Sequence, residues 1–283
     1  MLHIRTMRSS DIPFAVRLCD QEHWGVTSDE FRRLLRLDPT GCFVAVDGTR
    51  RVGLATSTTY GKGLAWIGNI VVDRKERGRE IGRRLVEHAV VYLHRKRVRH
   101  VALYCFKENA RFYKHLGFVV EASFIRLARK AKRANAPNHQ DLTGTPQLSE
   151  LLRLDRKAFG ADRSKLLRLV TAKRTVSWVS LSVGEEFRSY LMVRRYVDLC
   201  ELGPWISSRQ RRFELTEILH RALNESGGLP IEVSVLTKNR LVTTVFRGQG
   251  FRVVRKGYRM LHGEPVRLGE DRCQCVLGFL DKG

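Results

Sequence analysis

LAWIGNIVVDRKERGREIGRRLVEHAVVYL, residues 64–93, decides how the chain is read. Leu64–Val72 is a β-branched, apolar run bounded by Gly63 and Asp73, which reads as a strand. Asp73–Arg79 is polar and contains Gly78, so the chain turns there. Ile81, Leu85, Ala89, Val90 and Leu93 then recur at helical spacing. The run closes on His94-Arg95-Lys96-Arg97, cations that suit a helix C-terminus. HVALYCF (100–106) is the next strand, which completes a βαβ-like unit. A turn of this kind aims free backbone N–H groups at one spot, and the helix dipole adds positive potential. That combination suits a pyrophosphate. Arg74, Lys75, Arg77, Arg79, Arg83 and Arg84 surround it with further charge. The turn has neither the G-K-[ST] of a P-loop nor the G-x-G-x-x-G of a dinucleotide fold.

Upstream, LHIRT (2–6) reads as a strand, and Ser9-Ser10-Asp11 offers cap chemistry for a helix through Cys19, with Pro13 in its first turn. Thr27-Ser28-Asp29 caps a second helix that stops at Asp38-Pro39. CFVAVDG and RRVGLATSTTY form a hairpin around Asp47-Gly48. Downstream, NARFYKHL (109–116) is a short helix and FVVEASFIRLA (118–128) a strand. Lys130–Pro146 is polar and aperiodic with two prolines, and reads as a linker. The second half then repeats the ending of the first. SVGEEFRSYLMVRRYVDLCELGPWIS supplies three strands, 209–226 a helix, 229–236 a strand, 239–248 a helix and 251–261 a strand. RFYKHLGFVV (111–120) aligns with TVFRGQGFRV (244–253), which marks an internal duplication.

Composition limits the alternatives. The chain has 283 residues, 43% of them hydrophobic, enough for real cores. The start shows no apolar signal segment, and no window is long and apolar enough to cross a membrane. The six cysteines form no zinc-type pairs, so no metal site is expected and reduced thiols in a cytoplasmic setting are. Lys and Arg number 52 against 29 Asp and Glu, a net charge of +23 spread over both halves. That excess favours anionic partners such as phosphorylated cofactors or nucleic acid.

The Val71-Val72-Asp73 strand end, followed by Arg77-x-x-Glu80-x-Gly82 opening a helix, resembles the signature of the GNAT superfamily of acyl-CoA-dependent N-acetyltransferases. Phe112-Tyr113-Lys114-His115-Leu116-Gly117-Phe118 resembles that family's second signature, a helical Tyr with Gly-Phe four residues on. The likeness covers about 2–128, and the whole chain resembles the tandem two-domain (YitH-like) members. It implies an α+β fold of two tandem GNAT-like domains, each a mixed, mostly antiparallel sheet flanked by helices. Residues 1–130 would be the acyl-CoA-binding domain, 131–146 the linker and 147–283 a degenerate GNAT-like domain. Acetyl-CoA would lie on Ile70, Val71, Val72, Arg77, Gly78, Arg79, Glu80, Ile81, Gly82, Arg83 and Asn109. Glu80 stands where the family places a glycine that lets the backbone approach the phosphates.

Acyl transfer to an amine needs a neutral nucleophile, and an ammonium of pKa ~10.4 is only about 0.1% neutral near pH 7.4. A base or water relay must therefore act. The resemblance places the thioester's N–H donor on the 69–72 strand. Tyr113 is the candidate acid for the departing thiolate, and Glu22, in the loop after the first helix with His23, the candidate base. Trp24, Tyr60, Trp66 and Asn69 are candidate acceptor-binding residues. Direct attack in a ternary complex is the expected route; an acyl-cysteine at Cys105 is the alternative. Phe246 replaces the acid in the second half, and Ser207–Arg212 replaces the glycine turn. That half is expected to do no transfer alone, and instead to wall the acceptor pocket or pair sheets with the first. Asn239 there matches the family's helix-opening Asn. Asp155, Glu185, Glu186 and Glu201 are open to a cationic acceptor or to plain solvation. The partners expected are an acyl-CoA and an amine acceptor, with no membrane. The competing function is a catalytically weak, basic module on nucleic acid or the ribosome, although no nucleic-acid-binding motif is present. The acceptor and the oligomeric state are not written in the sequence.

Overall fold

Strand β1 (Leu2–Thr6) pairs antiparallel with β2 (Cys42–Asp47), and the chain between them folds into helices α1 (Ile12–Asp20) and α2 (Ser28–Leu37). The computed structural model describes residues 1–132, 148–172, 175–264 and 266–283. The expected linker, 131–146, lies outside these apart from its first two residues. Helix α2 starts on a capping box: Glu30 N–H donates to Thr27 Oγ1 (3.4 Å) and Thr27 N–H to Glu30 Oε2 (3.0 Å). Strands β3 (Arg50–Tyr60) and β4 (Leu64–Val72) continue the meander. Helix α3 (Ile81–Arg95) returns to β5 (His100–Phe106), which runs parallel to β4. Helix α4 (Ala110–His115) and strand β6 (Phe118–Arg129) follow.

In the second half, α5 (Leu148–Phe159) and α6 (Ser164–Thr171) precede β7 (Val176–Val183), β8 (Glu186–Arg195) and β9 (Cys200–Ser207). Then come α7 (Arg212–Glu225), β10 (Ile231–Leu236), α8 (Arg240–Gly248), β11 (Arg252–His262) and the short β12 (Gln274–Val276). The two halves share one 12-stranded sheet in the order β1-β2-β3-β4-β5-β11-β6-β10-β9-β8-β7, with β12 beside β9.

That order shows an exchange. Strand β5 pairs with β11 of the second half, and β10 pairs with β6 of the first. β11 and β6 pair with each other at the centre. Each half therefore completes the other's sheet, as one of the two expectations for the second half had it. The strands on either side of residue 130 lie in one continuous sheet. Gly257 permits the crossing. A Cβ there would stand 2.4 Å from the Phe124 ring and 2.6 Å from the Cys105 carbonyl oxygen.

Periodicity sets the layers. Ala65 and Ile67 of β4 pack with Ile81, Leu85, Val86, Ala89, Val90 and Leu93 of α3 in one core. Trp66, between them, faces the other side and packs with α5 and α6. Fully burying a Leu such as Leu85 or Leu93 contributes roughly 1.5–3 kcal/mol. α1 and α2 cover the same side as Trp66, over Cys42, Val44, Leu54 and Val71. No helix among the described residues is long and apolar enough to cross a membrane.

Candidate active site

β4 and β5 part company early. Their parallel pairing stops at Trp66–Ala102, and β5 turns its other edge to β11. Beyond Trp66 the edge of β4 that faces β5 is unpaired, which opens a slot between the strands. The opposite edge of β4 carries a bulge. The register with β3 slips between Leu54–Val71 and Thr56–Gly68, and Asn69 adopts φ +48°. Asn tolerates this left-handed conformation better than most residues. Its Nδ2 donates to Thr56 Oγ1 (3.1 Å), whose hydroxyl donates to the Gly68 carbonyl (3.0 Å).

At the end of β4 the chain enters one 3₁₀ turn (Arg74–Glu76), then Gly78 at φ +80° and Glu80 at φ +59°, before α3 begins. The backbone N–H groups of Gly78 and of Glu80 to Arg83 have no backbone acceptor among the described residues. These five donors at the positive end of a 15-residue helix make an anion cradle. Glu80 keeps the left-handed backbone that a glycine would supply. Its side chain is largely exposed and pairs with Arg83 at 3.2 Å, away from the cradle. The arginines contribute less field than their number suggests. Arg77 pairs with Glu22 (2.6 Å), Arg79 with Asp47 (2.7 Å) and with Glu76, and Arg83 also with Glu87 (2.8 Å). The N–H cradle therefore carries the site. Since a non-glycine residue in the left-handed region costs roughly 1 kcal/mol, Glu80→Gly should stabilise the fold by about that amount. Urea unfolding of the variant checks this, and an unchanged midpoint would mean that the strain is absent.

Between cradle and slot, a Cβ on Gly82 would lie 3.7 Å from the Phe112 ring of α4 and 3.7 Å from Val72. Ile70 and Val72 are partly exposed along the slot, Val71 is buried on the α1 side, and Asn109 is exposed at the start of α4. Tyr113 is buried on α4 beside Phe112 and Phe118. Its hydroxyl has no hydrogen-bond partner among the described residues. Burial pushes its pKa up, with the nearby Cys105 adding to the effect, so it stays a proton donor. Cys105 is itself buried, and burial pushes its thiol up to about 12. A thiolate is the nucleophilic form, so this environment opposes an acyl-cysteine.

Glu22 does not stand free in the acceptor loop. Arg74 and Arg77 hold it, and although burial raises its pKa, their hydrogen bonds prevail and lower it. A carboxylate so stabilised is a weak base. Trp24 is exposed in the same loop. Tyr60, Trp66 and Asn69 are buried under a segment that the sequence did not single out, residues 279–283. Tyr60 donates its hydroxyl to the Lys282 carbonyl, and Asn69 Nδ2 donates to Asp281 Oδ2 at 3.0 Å. A Cβ on Gly283 would touch the Trp66 ring at 2.7 Å.

The second half has the matching slot, because β9 and β10 pair only at Cys200–Ile231 and Glu201–Glu232. Here the slot is filled. β12 pairs with β9, and Leu277 N–H donates to the Ser234 carbonyl of β10 at 2.8 Å. A Cβ on Gly203 would lie 2.3 Å from the Leu277 oxygen. Asn239 donates to the carbonyls of Asp271 (3.2 Å) and Gln274, so it anchors the filling segment. Phe246 is core, against Trp205 and Phe251. Asp155 is bound by Arg163, and Glu201 by Arg126 and Arg194.

Comparison with known proteins agrees with this geometry. Residues 8–118 match the model of the acetyltransferase (GNAT) family, and residues 151–273 match that of an acetyltransferase (GNAT) domain. A Pyrococcus horikoshii protein assigned as an acetyltransferase superposes with a TM-score of 0.80 at 20% identity, over 100% of this chain and 96% of its own. A tandem GNAT protein from the clavulanic acid biosynthesis pathway gives 0.67 at 14% identity, over 94% and 100%. A GCN5-related N-acetyltransferase from Sphaerobacter thermophilus gives 0.63 at 15%, over 94% and 98%. These likenesses concern the fold. No curated protein matches the chain.

Proposed function

The chain belongs to the GNAT acetyltransferases in both of its halves, and from that premise we propose that the first half transfers an acetyl group from acetyl-CoA to a primary amine, by direct attack in a ternary complex. One observation carries the reading: the first half keeps an open strand slot that leads to a cradle of unpaired N–H groups, while the second half's slot is filled by its own β12. The residues fit the cofactor. Five free donors suit a pyrophosphate, and the Glu80 side chain is largely exposed and paired with Arg83.

Acetyl-CoA supplies an activated acyl thioester. N–H groups of the unpaired β4 edge, at Ile70 and Val72, would donate to the thioester carbonyl as it gains negative charge. Tyr113 holds a proton for the departing sulfur, and burial keeps that proton in place until a thiolate forms. The Asn69 bulge shifts the alternation of β4, so that Ile70 and Val72 face α3 while Val71 faces the side covered by α1 and α2. The filled second slot assigns the second half to completing the sheet and closing that face.

The test is amine-dependent release of CoA thiol across a panel of small primary amines and lysine peptides. Saturable release supports the reading; acetyl-CoA binding without release for any amine opposes it. The competing nucleic-acid reading rests on the net charge alone, and four arginines around the cradle, Arg74, Arg77, Arg79 and Arg83, are already paired with carboxylates.

A further inference from the structure

The segment that leaves β12 crosses from the second half to the first. Phe279 is buried and Lys282 is 1% exposed, so the segment is part of the core rather than a fringe. It is tied at each step. Arg194 Nη2 donates to the Gly278 carbonyl (3.2 Å), Gly283 N–H to the Phe279 carbonyl (2.6 Å), and Arg163 Nη1 to the Gly283 carbonyl (2.7 Å). Its backbone lies directly on β4, since a Cβ on Gly68 would stand 2.3 Å from the Asp281 oxygen and 2.5 Å from its Cα. Gly68 immediately precedes the bulge residue Asn69.

This contact sets one carboxylate at the bulge. Asp281 Oδ2 accepts from Asn69 Nδ2 (3.0 Å) and from the Lys282 ammonium. Oδ1 has no partner among the described residues, and the side chain is 22% exposed. Asp281 is therefore fixed through one oxygen and open through the other. Glu22, which with His23 was expected from sequence as the base, is held through Oε1 by Arg74 and Arg77 of the phosphate turn. The Thr58 hydroxyl and the Trp66 indole N–H, cross-strand neighbours on β3 and β4, are buried without partners among the described residues and leave unused hydrogen-bonding capacity near this segment.

We propose that Asp281, delivered by the second half, is the acceptor-binding carboxylate and base of the first half's active site. This deepens the acetyltransferase reading and rests on it. Oδ1 holds the incoming ammonium and takes one proton from it. The freed amine nitrogen then bonds to the acyl carbon, the C–S bond breaks, and the thiolate takes the proton of Tyr113. The second amine proton and the one held by Asp281 leave to solvent, and the tyrosinate regains one from it. Lys282 occupies Oδ2 as an internal ammonium and competes with the acceptor for the carboxylate. The acceptor class that follows is a cationic primary amine with no carboxylate beside the nitrogen, such as a polyamine or a lysine side chain, because a second anion would face Asp281 directly.

Two isosteric or near-isosteric changes test this, with spermidine and the tripeptide Gly-Lys-Gly as probes. Asp281→Asn should lower kcat/KM for both probes at least tenfold and leave the acetyl-CoA Kd unchanged. Lys282→Met should lower the KM for the same probes several-fold. A purely structural segment would make both variants worse together, and that parallel loss would overturn the proposal. So would wild-type rates retained in Asp281→Asn, or a wild type that binds acetyl-CoA but releases no thiol with either probe. Failure of the wild type to bind acetyl-CoA is a separate result, and it strikes the acetyltransferase reading itself.

Discussion

Tyr113→Phe should lower kcat about 10²–10⁴-fold, the range that loss of a positioned general acid produces. The change removes one oxygen from a ring packed against Phe112 and Phe118, and the Tyr113 hydroxyl makes no hydrogen bond that folding would lose. Stability should therefore stay within about 1 kcal/mol of wild type. On the proposed role the hydroxyl acts in the transfer step and not in the phosphate cradle, so acetyl-CoA affinity should hold within about twofold while kcat and kcat/KM fall together. Because burial raises the Tyr113 pKa, wild-type activity should show no loss from tyrosine ionisation through the neutral range. Steady-state thiol release with paired calorimetry reads both quantities. An unchanged kcat would move the acid elsewhere.

Arg163→Met should destabilise the fold by about 3–5 kcal/mol. Arg163 lies between α5 and α6 and binds Asp155 through both oxygens, Nε to Oδ2 at 2.9 Å and Nη2 to Oδ1 at 2.8 Å. Both side chains are almost fully buried. Burial alone would lower the guanidinium pKa, but Asp155 outweighs it and keeps the group charged. Tyr190 also donates to Asp155, and the guanidinium stacks on Phe159 at 4.2 Å. Removing the cation strands a buried carboxylate with one hydroxyl for company. It also frees the Gly283 carbonyl, so the segment over β4 should loosen. For a chain of this size the fall in Tm is on the order of 10 °C. Replacing both partners, as in Arg163→Met with Asp155→Leu, should recover much of the loss, because the cost lies in the unpaired charge. A loss under about 1 kcal/mol in the single variant would show that the pair is solvated in practice.

Local chemistry made most of the first half legible. The Asp47-Gly48 hairpin, the α3 stripe and the Gly78 turn each depend on neighbours within a few residues, and each stands where it was expected. Glu80 was legible as a departure from the family pattern, and in the structure it keeps a left-handed backbone with its side chain largely exposed beside Arg83. The exchange of β6 and β11 was open only as one of two expectations. Both strands read as strands from their own composition, and nothing local says which edge each will pair with. Helices α5 and α6 were not read as elements, although their apolar faces seat Trp66. The segment 277–283 was invisible for a clearer reason. It has no periodicity, and its hydrogen bonds go to Tyr60, Asn69 and Arg163, residues far away in the chain. Tyr60, Trp66 and Asn69 were singled out for an acceptor, and they meet this segment first.

The central claim is that one of two related slots is open. Titration of acetyl-CoA by calorimetry into the wild type and Gly82→Trp tests it most directly. Gly82 has ordinary helical geometry and only normal contacts around a Cβ, so the variant should fold. Its indole should fill the gap between α3, Phe112 and Val72. The account predicts one equivalent bound per chain in the wild type and none in the variant. Two equivalents, or one that survives Gly82→Trp, would contradict it.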